Sequence, residues 1–171
     1  MPSDPITRIL AELDKAGVRL VVVGGVAVVL HGHLRFTADL DLAVALDRDN
    51  VLATLSALKG LGYRPRPPVR AEDFADPAIR ATWVRDKNMI VFSLWSESFP
   101  GTDVDLFAQL PIPFEELEDR AVRLTVAPLT VRVASIRDLI EMKRKAARPV
   151  DAGDIAALEK IELSLKNHGD T

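Results

Sequence analysis

The sequence contains no cysteine. This absence excludes disulfide bonds, cysteine-ligated zinc, iron–sulfur clusters and a thiol nucleophile. The chain has only three histidines, so we do not expect a zinc site built on imidazole rings. Aromatic residues make up 5% and charged residues 27% of the 171 residues, an ordinary composition for one soluble domain, alone or with a small appendage.

Long hydrophobic runs and a charge of one sign are also lacking. The longest apolar stretch, residues 20–30, is interrupted by Gly24-Gly25 and is too short to span a bilayer, so we expect no membrane partner. The N-terminus has no basic segment typical of a signal peptide, which predicts a cytoplasmic protein. The formal net charge of −3 argues against a nucleic-acid coat protein but is compatible with a local basic groove.

Hydrophobic periodicity and capping residues predict alternating helices and strands. The predicted helices cover residues 5–16, 26–30, 48–61, 72–86 with a break near Pro77, part of 111–120, 136–147 and 151–167. The predicted strands cover residues 19–23, 39–46, 88–94, 102–107, 122–126 and 129–133. This order predicts an α/β (α+β) domain, with a mixed β-sheet flanked by helices in residues 1–133 and a C-terminal helical segment in residues 134–171.

Prolines dominate residues 64–70, where two X-Pro steps and a proline pair occur. Proline lacks a backbone N–H and restricts the residue before it, so this stretch is predicted to be an extended loop without regular structure. Its three arginines, Arg64, Arg66 and Arg70, could form one wall of a groove for nucleic acid or could belong to a solvated connector.

Two carboxylates, Asp39 and Asp41, stand at the start of a predicted strand. Residues i and i+2 of a strand point to the same face, so the two carboxylates are expected to lie together and to repel each other unless a cation sits between them. Oxygen ligands in this arrangement suit Mg²⁺. The alternative is a pair of solvated acids at a strand end.

Two further features make a functional site the better interpretation. Gly24-Gly25 follows a buried strand and precedes a helix, where the backbone can approach an anion closely. Asp105 lies inside a second apolar strand, a position that aspartate seldom occupies. Three inward carboxylates beside a phosphate-binding turn indicate two-metal phosphoryl transfer.

These motifs resemble the signature of the DNA polymerase β-like nucleotidyltransferase superfamily. The residues that carry the resemblance are Val23-Gly24-Gly25, Asp39-Leu40-Asp41-Leu42 and Val104-Asp105-Leu106. Residues 24–41 and 133–158 are similar, more closely, to small bacterial proteins related to abortive-infection nucleotidyltransferase toxins. The resemblance implies the minimal nucleotidyltransferase fold, with the C-terminal helical segment completing the nucleotide site.

The resemblance also implies roles for individual residues. Asp39, Asp41 and Asp105 would bind metal, two Mg²⁺ ions with Mn²⁺ as a substitute, and Asp105 would assist the attacking hydroxyl. Lys143 would contact the phosphates and count with the three aspartates as catalytic. The other implied contacts to a nucleoside triphosphate come from Gly24, Gly25, Arg35, Thr37, Asp151 and Asp154.

The residue patterns alone favour simpler roles for some of these side chains. Lys143 lies in a basic run at a helix end, where a solvated side chain is favoured by the helix dipole. Asp151 has the pattern of a helix N-cap, and Asp154 lies in the first turn that follows. Arg35 is placed in a loop where most arginines are solvated.

The acceptor of the transferred nucleotide is less narrowly indicated. The toxin-like subgroup implies an RNA acceptor, such as the 3′ end of tRNA, and a cognate antitoxin in a toxin–antitoxin system. The alternatives are an enzyme that modifies an antibiotic hydroxyl, an antitoxin that adenylylates its toxin protein, and a non-catalytic module that binds a nucleotide or a partner. Three converging carboxylates argue against the last alternative.

Overall fold

The computed structural model describes residues 4–168, so residues 1–3 and 169–171 of the two predicted segments lie outside the described range. The α-helices are α1 (Pro5–Lys15), α2 (Gly24–Leu30), α3 (Arg48–Gly60), α4 (Pro77–Lys87), α5 (Phe114–Arg120), α6 (Ile136–Ala146) and α7 (Asp151–His168). The strands are β1 (Leu20–Val23), β2 (Leu40–Val44), β3 (Arg64–Pro65), β4 (Val91–Trp95), β5 (Val104–Phe107), β6 (Val122–Val126) and β7 (Leu129–Val133). A 3₁₀ turn, Ala71–Ala75, precedes α4.

The strands of the described residues form one seven-stranded sheet with the order β3-β4-β5-β2-β1-β7-β6. Strand β1 runs antiparallel to β2 and parallel to β7, whereas β2 runs parallel to β5. The predicted mixed sheet and the α/β class are therefore confirmed. None of the helices between residues 4 and 168 is long and apolar enough to cross a membrane.

Local signals explain how the first helix forms and packs. Asp4 accepts a hydrogen bond from the backbone N–H of Thr7 at 3.1 Å, and proline occupies the first helical position. Ile9, Leu10 and Leu13 recur at helical spacing and are buried against the sheet in the core.

One face of the β3–β4–β5 part of the sheet is only partly covered. Residues along β4 and β5 alternate between buried and half-buried. Phe92 and Leu106 belong to the buried face, whereas Ser93 and Asp105 belong to the other. Polar and charged side chains can lie on that second face without full loss of hydration, and it carries the candidate site.

The predicted absence of regular structure in residues 64–70 is wrong at its start. Arg64 and Pro65 pair with Trp95 and Leu94 as the short strand β3. This strand lies at the edge of the sheet, where a proline is tolerated because no neighbour requires its N–H.

Three predicted boundaries also shift. Helix α2 begins at Gly24 rather than Val26, so the glycine pair forms its first turn. Strand β2 begins at Leu40, which leaves Asp39 one residue before the strand. Strand β4 begins at Val91 because α4 extends to Lys87 and ends on Asn88, whose φ of 50° is left-handed.

Candidate active site

Two of the three predicted metal-binding carboxylates lie on adjacent strands. Asp41 of β2 is the register partner of Asp105 on β5 and of Val23 on β1. Paired residues of neighbouring strands project to the same face, about 4.8 Å apart along the hydrogen-bonding direction. Asp39 precedes the strand and is exposed, but its charge acts on both of the other carboxylates.

The crowding of these carboxylates changes their protonation. Burial raises the pKa of Asp41 to about 6, and the negative charge of Asp105 adds to this effect, while a hydrogen bond from the backbone of Gly25 opposes it. Burial also raises the pKa of Asp105, partly offset by a hydrogen bond with the Ser93 hydroxyl. Both carboxylates therefore lack a full complement of positive partners.

The donor set fits a hard divalent cation. The Oδ1 atom of Asp105 is buried and has no hydrogen-bond partner among the described residues. Residues 4–168 hold no preassembled group of three metal-ligating side chains. Mg²⁺ does not require one, because it is commonly held by one or two carboxylates and completes its shell with water and substrate phosphates.

The glycine pair is required by close approach of other side chains to the backbone. Gly24 has a φ of +65°, and a Cβ atom there would overlap the carboxylate of Asp41. A Cβ atom on Gly25 would lie 2.5 Å from Oγ1 of Thr37 and 3.2 Å from a guanidinium nitrogen of Arg35. The turn from β1 into α2 thus packs directly against three residues predicted for the nucleotide site.

We expect the substitution Gly24→Ala to abolish nucleotidyl transfer and to lower stability by about 1–3 kcal/mol, because it combines a left-handed φ with displacement of Asp41. The matched control is Gly153→Ala in α7, where a Cβ meets nothing within 4 Å and the helix should gain about 0.5–1 kcal/mol. Thermal unfolding and turnover of both variants measure the difference. Full turnover in Gly24→Ala would contradict the assignment.

Lys143 is buried, so its interpretation as a solvated helix end is wrong. Its side chain is 6% exposed, and its Nζ atom lies 3.0 Å from Asp151 Oδ1 and 2.8 Å from Asp154 Oδ2. Asp151 is not the predicted N-cap either: it is the first residue of α7, and its carboxylate is buried against Lys143 and Arg148. Although burial acts in the opposite direction, the hydrogen bonds from Arg148 and Lys143 hold the pKa of Asp151 below its usual range.

Arg35 connects this cluster to the glycine turn. Its guanidinium forms an ion pair with Asp154, and another of its nitrogens lies against Gly25. His33 Nε2 lies 3.9 Å from the same aspartate. The predicted solvated role of Arg35 is therefore wrong, and Asp154 joins the C-terminal helix to the loop that precedes Asp39.

A cleft of about 510 Å³ opens beside the carboxylates, between the partly covered sheet face and α6. Gly24, Asp41 and Asp105 line one end, and Lys143 and Arg148 line its helical side. The remaining wall is mainly apolar: Ile90, Val91, Phe107, Leu110, Pro111, Leu139, Met142 and Ala146. The volume is in the range of small-molecule sites.

Arg66 lies on the far side of Asp105 from Asp41. Its backbone N–H donates to the carbonyl of Ser93, whose strand neighbour is Asp105. Its guanidinium pairs with both carboxylate oxygens of Asp103, which raises the pKa of Arg66, and the charges of Asp39 and Asp105 act in the same direction. This row of residues forms a rim next to the carboxylates.

Several residues of the site escape sequence reasoning. Ser93 and Arg148 belong to no motif, and the sequence suggests Arg66 only as part of a nucleic-acid groove. The alternation of β4 could have placed Ser93 on the face of Asp105, but the register that makes them neighbours is not contained in either strand alone.

The fold and the site together define a nucleotidyltransferase. A model of the family described as "nucleotidyltransferase of unknown function (DUF6036)" matches residues 5–164. The chain belongs to this family and is an enzyme. No functionally curated protein matches the sequence.

Solved structures with the same fold come from antibiotic-modifying enzymes. The antibiotic-resistance factor ANT(2″)-Ia in solution is 18% identical with a TM-score of 0.59, over 94% of this chain and 82% of that one. Its complex with adenylyl-2″-tobramycin is 18% identical with a TM-score of 0.58, over 92% and 91%. The lincosamide antibiotic adenylyltransferase LnuA, bound to lincomycin, is 15% identical with a TM-score of 0.60, over 91% and 95%. These likenesses confirm the predicted nucleotidyltransferase fold.

Proposed function

We propose that the protein transfers a nucleoside monophosphate from a nucleoside triphosphate to a hydroxyl group of a small acceptor molecule, with release of pyrophosphate. The observation that carries the proposal is the Asp41–Asp105 pair at one end of a cleft whose helical side presents Lys143 and Arg148. Carboxylates for a cation and basic groups for phosphates are the two requirements of this chemistry.

Asp41 and Asp105, with Asp39 beside them, are the residues that would hold Mg²⁺, as one or two ions, with Mn²⁺ as a substitute. When bound, the metal offsets the charge of the carboxylates and phosphates and stabilises the charge that develops on the entering and leaving oxygens. The unpartnered Oδ1 of Asp105 accepts the proton of the attacking hydroxyl. The new O–P bond forms at the α-phosphorus as the bond to the β-phosphate breaks.

The glycine turn and the basic cluster hold the triphosphate in this proposal. Gly24 and Gly25 leave room for phosphate oxygens beside Thr37, while Lys143, Arg35 and Arg148 supply positive charge. Asp151 and Asp154 position those cations rather than contact the nucleotide. The segment 134–171 would complete the nucleotide site of the core 1–133, because these ion pairs cross that boundary.

A small acceptor is favoured over RNA because the basic residues expected to bind RNA are neutralised. Arg64 pairs with Glu97 at 2.5 Å, Arg66 pairs with Asp103, and Arg144 pairs with Glu159 at 2.6 Å. The half-open cleft of about 510 Å³ suits a small hydroxylated molecule of the kind that the structurally similar enzymes modify. The tRNA acceptor and the cognate antitoxin stay predictions of the toxin resemblance.

The proposal is tested by incubating the protein with each α-labelled nucleoside triphosphate, Mg²⁺ and one of three acceptor pools. The pools are total RNA, total protein, and a small-molecule fraction supplemented with tobramycin and lincomycin. We expect label in small molecules and stoichiometric pyrophosphate, both absent with Asp105→Asn. Label in RNA or protein would replace the proposed acceptor, and no pyrophosphate with any pool would overturn the transfer itself.

The salt dependence of transfer gives a second criterion. We expect the KM for the acceptor to change little between about 50 and 200 mM salt at fixed saturation with triphosphate, because a small acceptor releases few counterions. An RNA acceptor held by four or five phosphate contacts would give a slope of log affinity against log salt of about −3. A slope that steep would restore RNA as the acceptor.

The rim offers a matched pair of variants. Arg64 and Arg66 both stack on Trp95, with guanidinium carbons 4.3 and 5.7 Å from the ring centroid, and both pair with an acid. Arg66 is the member of the pair on which the charges of Asp39 and Asp105 act. We expect Arg66→Ala to raise the acceptor KM about tenfold, as for one lost charge-assisted hydrogen bond, and Arg64→Ala to leave it unchanged. Equal effects would remove Arg66 from the acceptor side.

A further inference from the structure

The cleft contains one polar side chain whose hydrogen-bonding groups are free. Its charged members are engaged: Lys143 and Arg148 with Asp151, and Lys145 with Glu141 at 2.7 Å and the carbonyl of Pro111 at 2.9 Å. Gln109 is the only neutral polar side chain in the described lining. Its amide makes no hydrogen bond within residues 4–168, although its backbone N–H contacts the carbonyl of Ile90.

Gln109 lies further along the same chain segment as the catalytic carboxylate. Asp105, Phe107 and Gln109 alternate along β5 and its extension, and all three line the cleft. A strand rises about 3.3 Å per residue, so Gln109 lies at most about 13 Å from Asp105. A nucleotide with its α-phosphate at Asp105 can therefore extend past Phe107 and bring its base to the amide.

The surroundings of the amide restrict the base. The side chains that face it across the cleft are apolar, Leu139 and Met142 on α6 and Phe107 and Pro111 on the sheet side. A base carbonyl that enters this wall loses hydrogen bonds to water without replacement. Adenine is the base that has no carbonyl oxygen, and its adjacent amino group and ring nitrogen match the paired acceptor and donor of a glutamine amide.

We infer that Gln109 selects the nucleobase and that the cleft takes the adenine of ATP. The apolar walls hold the two faces of the purine, and the amide accepts from its exocyclic amino group and donates to the neighbouring ring nitrogen. This inference rests on the proposed function, since it places the triphosphate at Lys143 and the α-phosphate at Asp105.

The test compares equilibrium binding of ATP, GTP, CTP, UTP and inorganic tripolyphosphate in the presence of Mg²⁺, measured by titration calorimetry. Wild-type protein is expected to bind ATP about tenfold or more tightly than the other triphosphates. Gln109→Leu keeps the side-chain volume but removes the amide, and should reduce ATP affinity to that of the others. Gln109→Glu replaces the donor with a second acceptor, and should also lose the preference.

Tripolyphosphate separates this inference from the proposed function. Its affinity should be the same in wild type and in both Gln109 variants, because the phosphate-binding residues are untouched. Equal binding of all four nucleotides by wild type, or an ATP preference that survives Gln109→Leu, would overturn the role of Gln109 and leave the proposed function standing. Failure of wild type to bind tripolyphosphate and every nucleotide would overturn both.

Discussion

Replacement of Asp41 by asparagine is expected to stabilise the metal-free protein by about 3 kcal/mol at pH 8 and to abolish nucleotidyl transfer. The pKa of Asp41 is raised from 3.8 to about 6 by burial and by the charge of Asp105. A pKa difference of one corresponds to a free-energy difference of about 1.36 kcal/mol between the two protonation states. Asparagine removes the charge and keeps an oxygen that can accept from the Gly25 backbone.

The pH dependence of stability gives the same prediction a second form. A carboxyl group with a raised pKa binds its proton more tightly in the folded than in the unfolded protein, so its contribution is most favourable below the unfolded pKa near 3.8. The metal-free wild type should therefore lose stability as pH rises from about 4 to about 6. Asp41→Asn should lack this component in denaturant unfolding measured across that range.

Mg²⁺ and a neighbouring carboxylate supply the controls. Metal should raise the unfolding temperature of wild type and leave that of Asp41→Asn nearly unchanged. Asp39→Asn should change the metal-free stability less than Asp41→Asn, because Asp39 is exposed before the strand begins. An Asp41→Asn protein that is less stable than wild type at pH 8, or that still turns over, would contradict the assignment.

The carboxylate pair was predictable because its determinants are local. Alternation on a strand fixes the face of Asp41, and an aspartate inside an apolar strand marks Asp105. The motif resemblance then indicated that the two strands are neighbours, which the register confirms. The mixed sheet followed in the same way from the order of helices and strands.

The basic cluster was not predictable because its determinants are distant in sequence. A lysine in the last turn of a helix has the same local pattern whether it is solvated or buried. Only the packing of α7 on α6 brings two carboxylates to Lys143, and only the fold brings Arg35 to Asp154, 119 residues away. Asp151 likewise has an N-cap pattern that is compatible with a buried ion pair.

Lys143 is expected to be the residue whose loss affects both stability and nucleotide binding. Removing one partner from a buried charge cluster costs about 3–5 kcal/mol. We expect Lys143→Met near the lower end, about 3 kcal/mol, because Asp151 keeps Arg148 and Asp154 keeps Arg35. Denaturant unfolding measures this cost, and Lys145→Met on the same helix is the control. Its ion pair with Glu141 is half exposed, so its loss should cost about 1 kcal/mol or less.

A second substitution separates the structural role of Lys143 from its role in phosphate binding. In Lys143→Met/Asp151→Asn the uncompensated carboxylate is also removed, so part of the lost stability should return, while tripolyphosphate affinity should stay low because no ammonium group faces the phosphates. Stability and tripolyphosphate binding of the two single variants and the double variant form a thermodynamic cycle for the ion pair. If the double variant binds tripolyphosphate as tightly as wild type, Lys143 serves only to hold α7 on α6. If its affinity stays low while its stability recovers, Lys143 both binds phosphate and holds the two helices together.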